Sequence, residues 1–141
     1  MRYVWCMAKA ASSDTPWPDR AGLDAVRRAL DEAEARELVD AIACLREAAD
    51  RLTEVLDESM AAAVLRRDAS LRAAGARAGL TENAVGPRLA RTRALGAYAD
   101  ERGRVTAAAV ERARYDLESG MPRRPPPERA PMRFKPRRRT N

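Results

Sequence analysis

Residues 23–74 contain neither glycine nor proline, an uninterrupted run of 52 residues. Glycine and proline are the residues that most often interrupt a helix, so their absence over such a length predicts helical structure. The chain has 141 residues, which is enough for one domain with extensions. Apolar residues make up 45% of it and aromatic residues only 4%, so the core must consist mainly of leucine, valine and alanine. That composition suits closely packed helices better than a sheet sandwich, and we predict a mainly α fold.

Apolar residues in the middle of this run repeat at alternating steps of four and three positions. We call this set the seam: Leu38, Ile42, Leu45, Ala49, Leu52 and Leu56. The steps match the heptad repeat of a coiled coil over nearly three heptads. Leu23, Val26 and Leu30 also follow helical spacing but are out of register with the seam. We therefore expect a bend near residues 33–37.

Two arrangements fit this region. In one, a long helix pairs through the seam with a second copy of the chain, as a dimeric coiled coil. In the other, two antiparallel helices fold against each other within one chain. A continuous helix of about 45 residues would be roughly 68 Å long, too long to stand alone. Uncapped helical patterns of this length are typical of coiled coils, so the sequence favours the homodimer.

The net charge of +6 conceals an asymmetry between the two halves of the chain. Residues 1–68 carry 10 basic and 14 acidic residues, a balance of −4, and residues 69–141 carry 17 and 7, a balance of +10. Acidic residues spread along a helix usually form its solvated face. An excess of arginine confined to one half instead predicts a polyanionic partner for that half.

The residue inventory argues against an enzyme. The chain has no histidine, which removes histidine general bases and most zinc sites. Cys6 and Cys44 are far apart and lack metal-ligand spacing, so we expect free thiols in a reducing cytoplasm. No phosphate-binding loop, dinucleotide fingerprint or nucleophile elbow occurs, and the carboxylates at 34, 37 and 40 lie beside Arg36 on a surface-type helix. We predict no catalytic residues, no cofactor and no metal.

The start of the chain predicts an arm rather than an anchor. The apolar run in MRYVWCMAKA is too short for a signal segment or a membrane span, so we expect a cytoplasmic, nucleoid-associated protein without membrane contact. Residues 1–18 contain Tyr3, Trp5 and Trp17 and the proline-broken TPWPD. We expect these aromatic residues to dock on the following helix.

The stretch from Ser70 to Leu89, SLRAAGARAGLTENAVGPRL, predicts two short helices that meet at Gly79. Ser70 and Thr81 can cap the two helices. The pair Ala74-Gly75 allows a close crossing, and glycine at position 79 tolerates the positive φ of a tight turn. Leu80, Val85 and Leu89 then supply a small core.

This spacing resembles the helix-turn-helix DNA-binding family over roughly residues 60–95. The segment AYADERGRVT predicts a tight β-hairpin, and Thr106 caps a last helix that ends at Ser119-Gly120. Residues 60–120 are therefore similar to winged helix-turn-helix domains. In style the chain also resembles small regulators of high-GC actinobacteria and their mobile elements.

The resemblance implies a recognition helix that lies in the DNA major groove, with the residues at its start at base edges and later arginines on phosphates. Arg102 and Arg104 lie on the expected wing. The DNA-binding residues implied are Ser70, Arg72, Thr81, Glu82, Asn83, Arg88, Arg91, Arg93, Arg102 and Arg104. Gly86-Pro87 departs from the pattern, because a proline inside this helix predicts a kink or a restart.

Residues 121–141 hold six prolines, seven arginines and one lysine against one glutamate, and we expect them to be disordered in isolation. The basic stretch RFKPRRRTN suits a DNA backbone or an AT-rich minor groove. The predicted organisation is an arm (1–18), a dimerising helical region (19–59), a DNA-binding unit (60–120) and this tail.

The predicted function is sequence-specific binding of double-stranded DNA as a dimer, in transcription regulation or plasmid or phage maintenance, with a protein of the transcription machinery as a further partner. The alternative is a coiled-coil interaction protein whose basic half binds nucleic acid or an acidic partner without sequence readout.

Overall fold

The computed structural model describes residues 17–124 and is mainly helical, as the composition predicted. The expectations for Tyr3, Trp5 and the basic tail from residue 125 onward lie outside the described residues. A short 3-10 turn, Gly96–Tyr98, follows the fourth helix. The helices are α1 Arg20–Glu34, α2 Leu38–Leu65, α3 Leu71–Arg77, α4 Glu82–Leu89 and α5 Ala107–Glu118.

Helices α1 and α2 pack against each other as an antiparallel pair. Gly22, near the start of α1, lies against Val55 of α2. Ala33, near the end of α1, forms a buried cluster with Ala41 and Cys44. The expected bend is confirmed at residues 35–37, and of the two arrangements the structure has the intrachain one. A single continuous helix is wrong, because the small facing side chains let α1 fold back closely on α2.

The seam residues are not among the buried residues of this packing. Helix α2 contacts α1 through a neighbouring face that carries Ala41, Cys44, Ala48 and Val55. The large seam residues remain accessible, with exposed fractions of Leu38 86%, Ile42 64%, Leu45 50%, Leu52 51% and Leu56 38%. The intrachain helix pair and the heptad pattern thus occupy different faces of one helix, and pairing with a second copy stays a prediction.

The main core lies where the end of α2 meets α3, α4 and α5. Its largest fully buried side chains are Val64, Leu89 and Leu95. Thr106 caps α5 as predicted, since its Oγ1 accepts from the Ala109 N–H at 3.2 Å. The other buried members are Met60, Ala61, Ala74, Val85, Tyr98, Val105, Val110 and Ala113. We call residues 57–124 the C-terminal unit, and α1 with residues 38–56 the N-terminal helix pair.

The predicted β-hairpin wing is wrong for the described residues, which contain no strand. One arm of the hairpin forms the 3-10 turn instead. Residues 100–104 close a tight turn, in which the Asp100 N–H donates to the Arg104 carbonyl at 2.8 Å. The ladder does not continue, because the Tyr98 N–H, which would make its next bond, donates to the Leu95 carbonyl at 3.0 Å in the 3-10 turn. The Val105 N–H donates instead to the Gly86 carbonyl of α4 at 3.1 Å. Between residues 17 and 124, no helix combines the length and the apolar character of a membrane span.

Candidate nucleic-acid interface

The connection between α3 and α4 follows the predicted turn chemistry. The Ser70 hydroxyl accepts from the Ala73 N–H at 3.1 Å and so caps α3. Gly79 has φ +70°, which an L side chain rarely adopts. A Cβ at Gly75 would lie 2.3 Å from Cγ2 of Val85, so only glycine allows this crossing. The two short helices therefore meet where the sequence predicted, for the stated physical reasons.

The start of α4 faces solvent. Thr81 occupies the N-cap position, but its side chain makes no capping hydrogen bond, so the predicted cap is wrong in that detail. Thr81, Glu82 and Asn83 are all exposed. Oε1 of Glu82 lies 3.2 Å from Nε of Arg72, and this ion pair links the first turns of α3 and α4. Both side chains remain more than two-thirds exposed, at 84% for Arg72 and 72% for Glu82.

Gly86-Pro87 does not interrupt α4, which continues to Leu89. A Cβ at Gly86 would lie 3.1 Å from the Val105 carbonyl oxygen. The Gly86 carbonyl accepts from the N–H groups of both Ala90 and Val105, each at 3.1 Å. Glycine at this position thus allows the segment before α5 to approach α4 closely.

A shallow recess of about 280 Å³ lies beside the exposed start of α4, and we call it the α4 groove. Its apolar lining comes from Leu71, Val85, Pro87 and Val105. Its charged and polar lining comes from Arg72, Glu82, Asn83 and Arg104. Three segments that are separate in sequence therefore meet at this groove.

Arg88 faces the interior of the protein rather than this groove. Its Nε donates to Oδ1 of Asp57 on α2 at 2.7 Å, and its Nη2 lies 2.7 Å from the same oxygen. The Arg88 side chain is 24% exposed and that of Asp57 only 9%. The ion pair fastens α4 to α2, so Arg88 is not available to phosphates as the family pattern implied.

Arg91 and Arg93 are not on α4, as the resemblance had implied, because that helix ends at Leu89. The buried Thr92 hydroxyl donates to the Leu89 carbonyl at 2.6 Å and stabilises the turn that follows. Arg93 Nη2 lies 3.3 Å from Asp19, and the Arg93 N–H donates to Glu58 at 2.9 Å. Arg91 borders an acidic recess formed by Asp19, Asp50, Glu54, Asp57 and Glu58. Carboxylates at that density oppose a phosphate.

Arg102 and Arg104 lie on the tight turn that replaces the wing. Asp100 Oδ1 accepts from both of their backbone N–H groups at 2.9 Å. Both residues are exposed, and in the described part of the chain neither side chain has an ion pair. The turn therefore presents two arginines, one of which borders the α4 groove.

No protein-family model, curated protein or solved structure matches this chain. The site is therefore defined by its own geometry. Sequence reasoning identified the exposed start of α4 but missed Asp57, whose partner is 31 positions away. No local signal in the sequence connects those two residues. Within residues 17–124, no group of three or more possible ligands is placed to hold a metal ion.

Proposed function

We propose that the chain binds double-stranded DNA in a sequence-specific manner as a dimer, with α4 as the recognition helix. One observation carries the proposal. The first residues of α4, Glu82 and Asn83, are exposed beside a groove that Arg72 and Arg104 flank. A role in transcription regulation or in plasmid or phage maintenance fits this activity, with contact to the transcription machinery as a further proposal.

The side chains at the start of α4 have the chemistry of base readout. Asparagine can bond adenine through both the oxygen and the nitrogen of its side-chain amide, and glutamate can accept from the amino group of cytosine. Arginines beside them suit the phosphates on either side of the major groove. The apolar lining from Pro87 suits the methyl group of thymine.

The pair between Arg72 and Glu82 is compatible with this role. An ion pair between two such exposed side chains contributes about 0–1 kcal/mol, so DNA can replace it at little cost. Released from each other, Glu82 can accept from a base while Arg72 contacts a phosphate. In the free protein, the pair keeps the carboxylate from repelling DNA as strongly as an unpaired one would.

The opposite side of α4 is held rigidly. Val85 is 3% exposed and Leu89 is 0% exposed, and Arg88 is paired with Asp57. A fixed recognition helix lowers the entropic cost of binding. We accordingly retain Arg72, Thr81, Glu82, Asn83, Arg102 and Arg104 as the proposed DNA-binding residues. Ser70 acts as a cap, and Arg88, Arg91 and Arg93 face acidic residues.

The test is selection of the full-length protein on a random-sequence DNA duplex pool at physiological salt, followed by sequencing. An enriched motif would support sequence-specific binding, and an inverted repeat would support the dimer as well. Retention without any motif would instead support the non-specific interaction protein. No retention at all would contradict both nucleic-acid proposals.

Two variants separate base contacts from phosphate contacts. Asn83→Ala should change the preferred base at one or two positions and leave the salt dependence unchanged. Arg104→Ala should weaken binding to all sequences and reduce the log–log salt slope by about 0.9 for each protomer of the bound dimer. If both variants behave alike, α4 does not read bases.

A further inference from the structure

The seam and its neighbour Val39 provide most of the exposed large apolar residues in the described part of the chain. Of the eleven exposed large apolar residues, six lie between Leu38 and Leu56. Single exposed apolar residues are ordinary, but a continuous stripe along one helix is typical of an interface. Helix α1 leaves this stripe uncovered, because it packs on the neighbouring face of α2.

We infer that the seam binds the seam of a second copy with the two α2 helices antiparallel. Every seam residue then packs against a residue from a different position of the partner's seam. Leu38 packs on the partner's Leu56, Ile42 on the partner's Leu52, and Leu45 on the partner's Ala49. All three pairs are symmetric about position 47, so one arrangement satisfies the whole seam. Self-complementarity of this kind is what a two-fold interface requires.

The parallel arrangement packs less well. It would place each seam residue against its own copy, so Ala49 would face the partner's Ala49 between two layers of leucine. Two alanines leave a void between helices that leucine pairs hold apart, and voids reduce stability. In the antiparallel arrangement, Leu45 fills the space beside the partner's Ala49.

The faces of α2 give a second, independent argument. At about 3.6 residues per turn, the face that contacts α1 lies roughly opposite the face that packs into the C-terminal unit. Ala41, Cys44 and Ala48 represent the first face, and Met60 and Val64 the second. The seam lies about a quarter turn from each of them.

This placement distinguishes the two orientations by symmetry. An antiparallel pair has its two-fold axis perpendicular to α2, and that axis keeps both C-terminal units on the same side of the dimer. A parallel pair has its axis along the helices and puts the two units on opposite sides. Only the antiparallel dimer presents both α4 helices to one DNA segment, a consequence that rests on the proposed function.

The dimer also predicts a spacing for the DNA site. Asp57, which holds Arg88 of α4, lies ten positions from the symmetry centre at 47. At about 1.5 Å per residue, the two copies of Asp57 are about 30 Å apart along the helix direction. Successive major-groove half-sites on one face of DNA are about 34 Å apart. We therefore expect an inverted repeat whose half-site centres are about one helical turn apart.

The first experiment measures the mass of the full-length protein without DNA, by light scattering after size exclusion at micromolar concentration. We expect a dimer. Ile42→Asp with Leu45→Asp should give a monomer with unchanged helical circular dichroism. Leu117→Asp is the matched control, because Leu117 on α5 and Leu45 are both 50% exposed, and it should stay dimeric. A monomeric unmodified protein overturns the proposal, as does dimerisation that survives the seam variants.

The second experiment reports orientation through cysteine cross-links in a Cys6→Ser, Cys44→Ala background. A mixture of Leu45→Cys and Ala49→Cys proteins should form a disulfide between the two chains, because a disulfide needs Cα atoms about 4.4–6.8 Å apart. Ala49→Cys alone should not cross-link. The reverse result, cross-linking by Ala49→Cys alone, means a parallel dimer and overturns the inference.

The remaining outcomes separate the dimer from DNA binding and from another occupant of the seam. An antiparallel dimer without an enriched DNA motif contradicts the proposed function and leaves the dimer intact. A monomer that dimerises only after deletion of residues 1–16 would show that this segment covers the seam. That result overturns the proposal that a second copy occupies it. A selected motif with half-sites about two helical turns apart contradicts the compact dimer.

Discussion

The N-terminal helix pair buries mainly small side chains and exposes large ones, whereas the C-terminal unit buries several large side chains. Between α1 and α2, the buried residues are mainly alanines, with Cys44 and two valines. In the C-terminal unit, Leu89 and Leu95 are completely buried. Burial of a leucine contributes about 1.5–3 kcal/mol, and an alanine contributes much less. The C-terminal unit therefore has a core of its own. The helix pair would bury its large apolar side chains only when a partner covers the seam.

This difference assigns separate tasks to the two regions. The C-terminal unit holds α4 in place from behind through Val85, Leu89 and the Asp57–Arg88 pair. The helix pair presents a self-complementary stripe on the same long helix that carries Asp57. Because α2 belongs to both regions, the position of α4 relative to a second copy is set by one continuous helix.

The largest expected effect tests whether the C-terminal core stands alone. Leu89→Ala should reduce the free energy of unfolding by about 3–5 kcal/mol, because the site is fully buried and leaves a cavity. Urea denaturation measures this. The loss should be the same at low and high protein concentration. Leu52→Ala, at a residue that is 51% exposed, should instead act mainly through dimerisation and depend on concentration. If both losses vary equally with concentration, the two regions form a single core.

The ion pair that fastens α4 to α2 inside the C-terminal unit should have the next largest effect. Asp57→Ala leaves the Arg88 guanidinium without its partner, and we expect a loss of about 2 kcal/mol, since that side chain is still 24% exposed. Glu58→Ala removes one of the two acidic partners of the 75% exposed Arg93 and should cost about 1 kcal/mol or less. Thermal or urea unfolding of both variants gives the comparison. Equal losses would mean that burial does not distinguish the two contacts.

At the crossing of α3 and α4, replacing glycine by alanine should reduce stability, although the same change usually stabilises a helix. Alanine normally stabilises a helix relative to glycine, but at Gly75 its Cβ would meet Val85 at 2.3 Å. We therefore expect Gly75→Ala to reduce stability by about 1–2 kcal/mol. Val85→Ala removes the clashing methyl, so the double variant should be more stable than the sum of the two single changes predicts. Additive losses would show that this contact does not limit the crossing.

The smallest effect on stability should come with a clear effect on binding. Glu82→Gln breaks an exposed ion pair with Arg72 and should change the free energy of unfolding by less than about 1 kcal/mol. It also removes one negative charge from the α4 groove, so affinity for DNA should rise while preference at one base weakens. Competition binding with the selected site and a scrambled duplex measures both. If neither the affinity for DNA nor the base preference changes, DNA does not bind at α4.

Much of the local structure follows from interactions between residues that are close in sequence, and the sequence therefore predicts it. Ser70 and Thr106 accept from backbone N–H groups of the helices they precede, and Gly79 has the positive φ of the turn. The small pair Ala74-Gly75 predicted a close crossing. Each of these features depends on residues within a few positions of one another. The exposed start of α4 followed from the same reasoning.

Other features were decided by contacts between distant residues. No glycine or proline marks the break at 35–37, which exists because α1 packs on α2. Val105 bonds to Gly86 of α4 rather than to a neighbouring strand, and Arg88 points inward because Asp57 lies behind α4. The sequence by itself determined the helical character, the caps at Ser70 and Thr106 and the heptad stripe, because these are periodic or local. Only the tertiary structure decided which arginines remain free and which face of α2 stays open, because both depend on what the fold brings alongside.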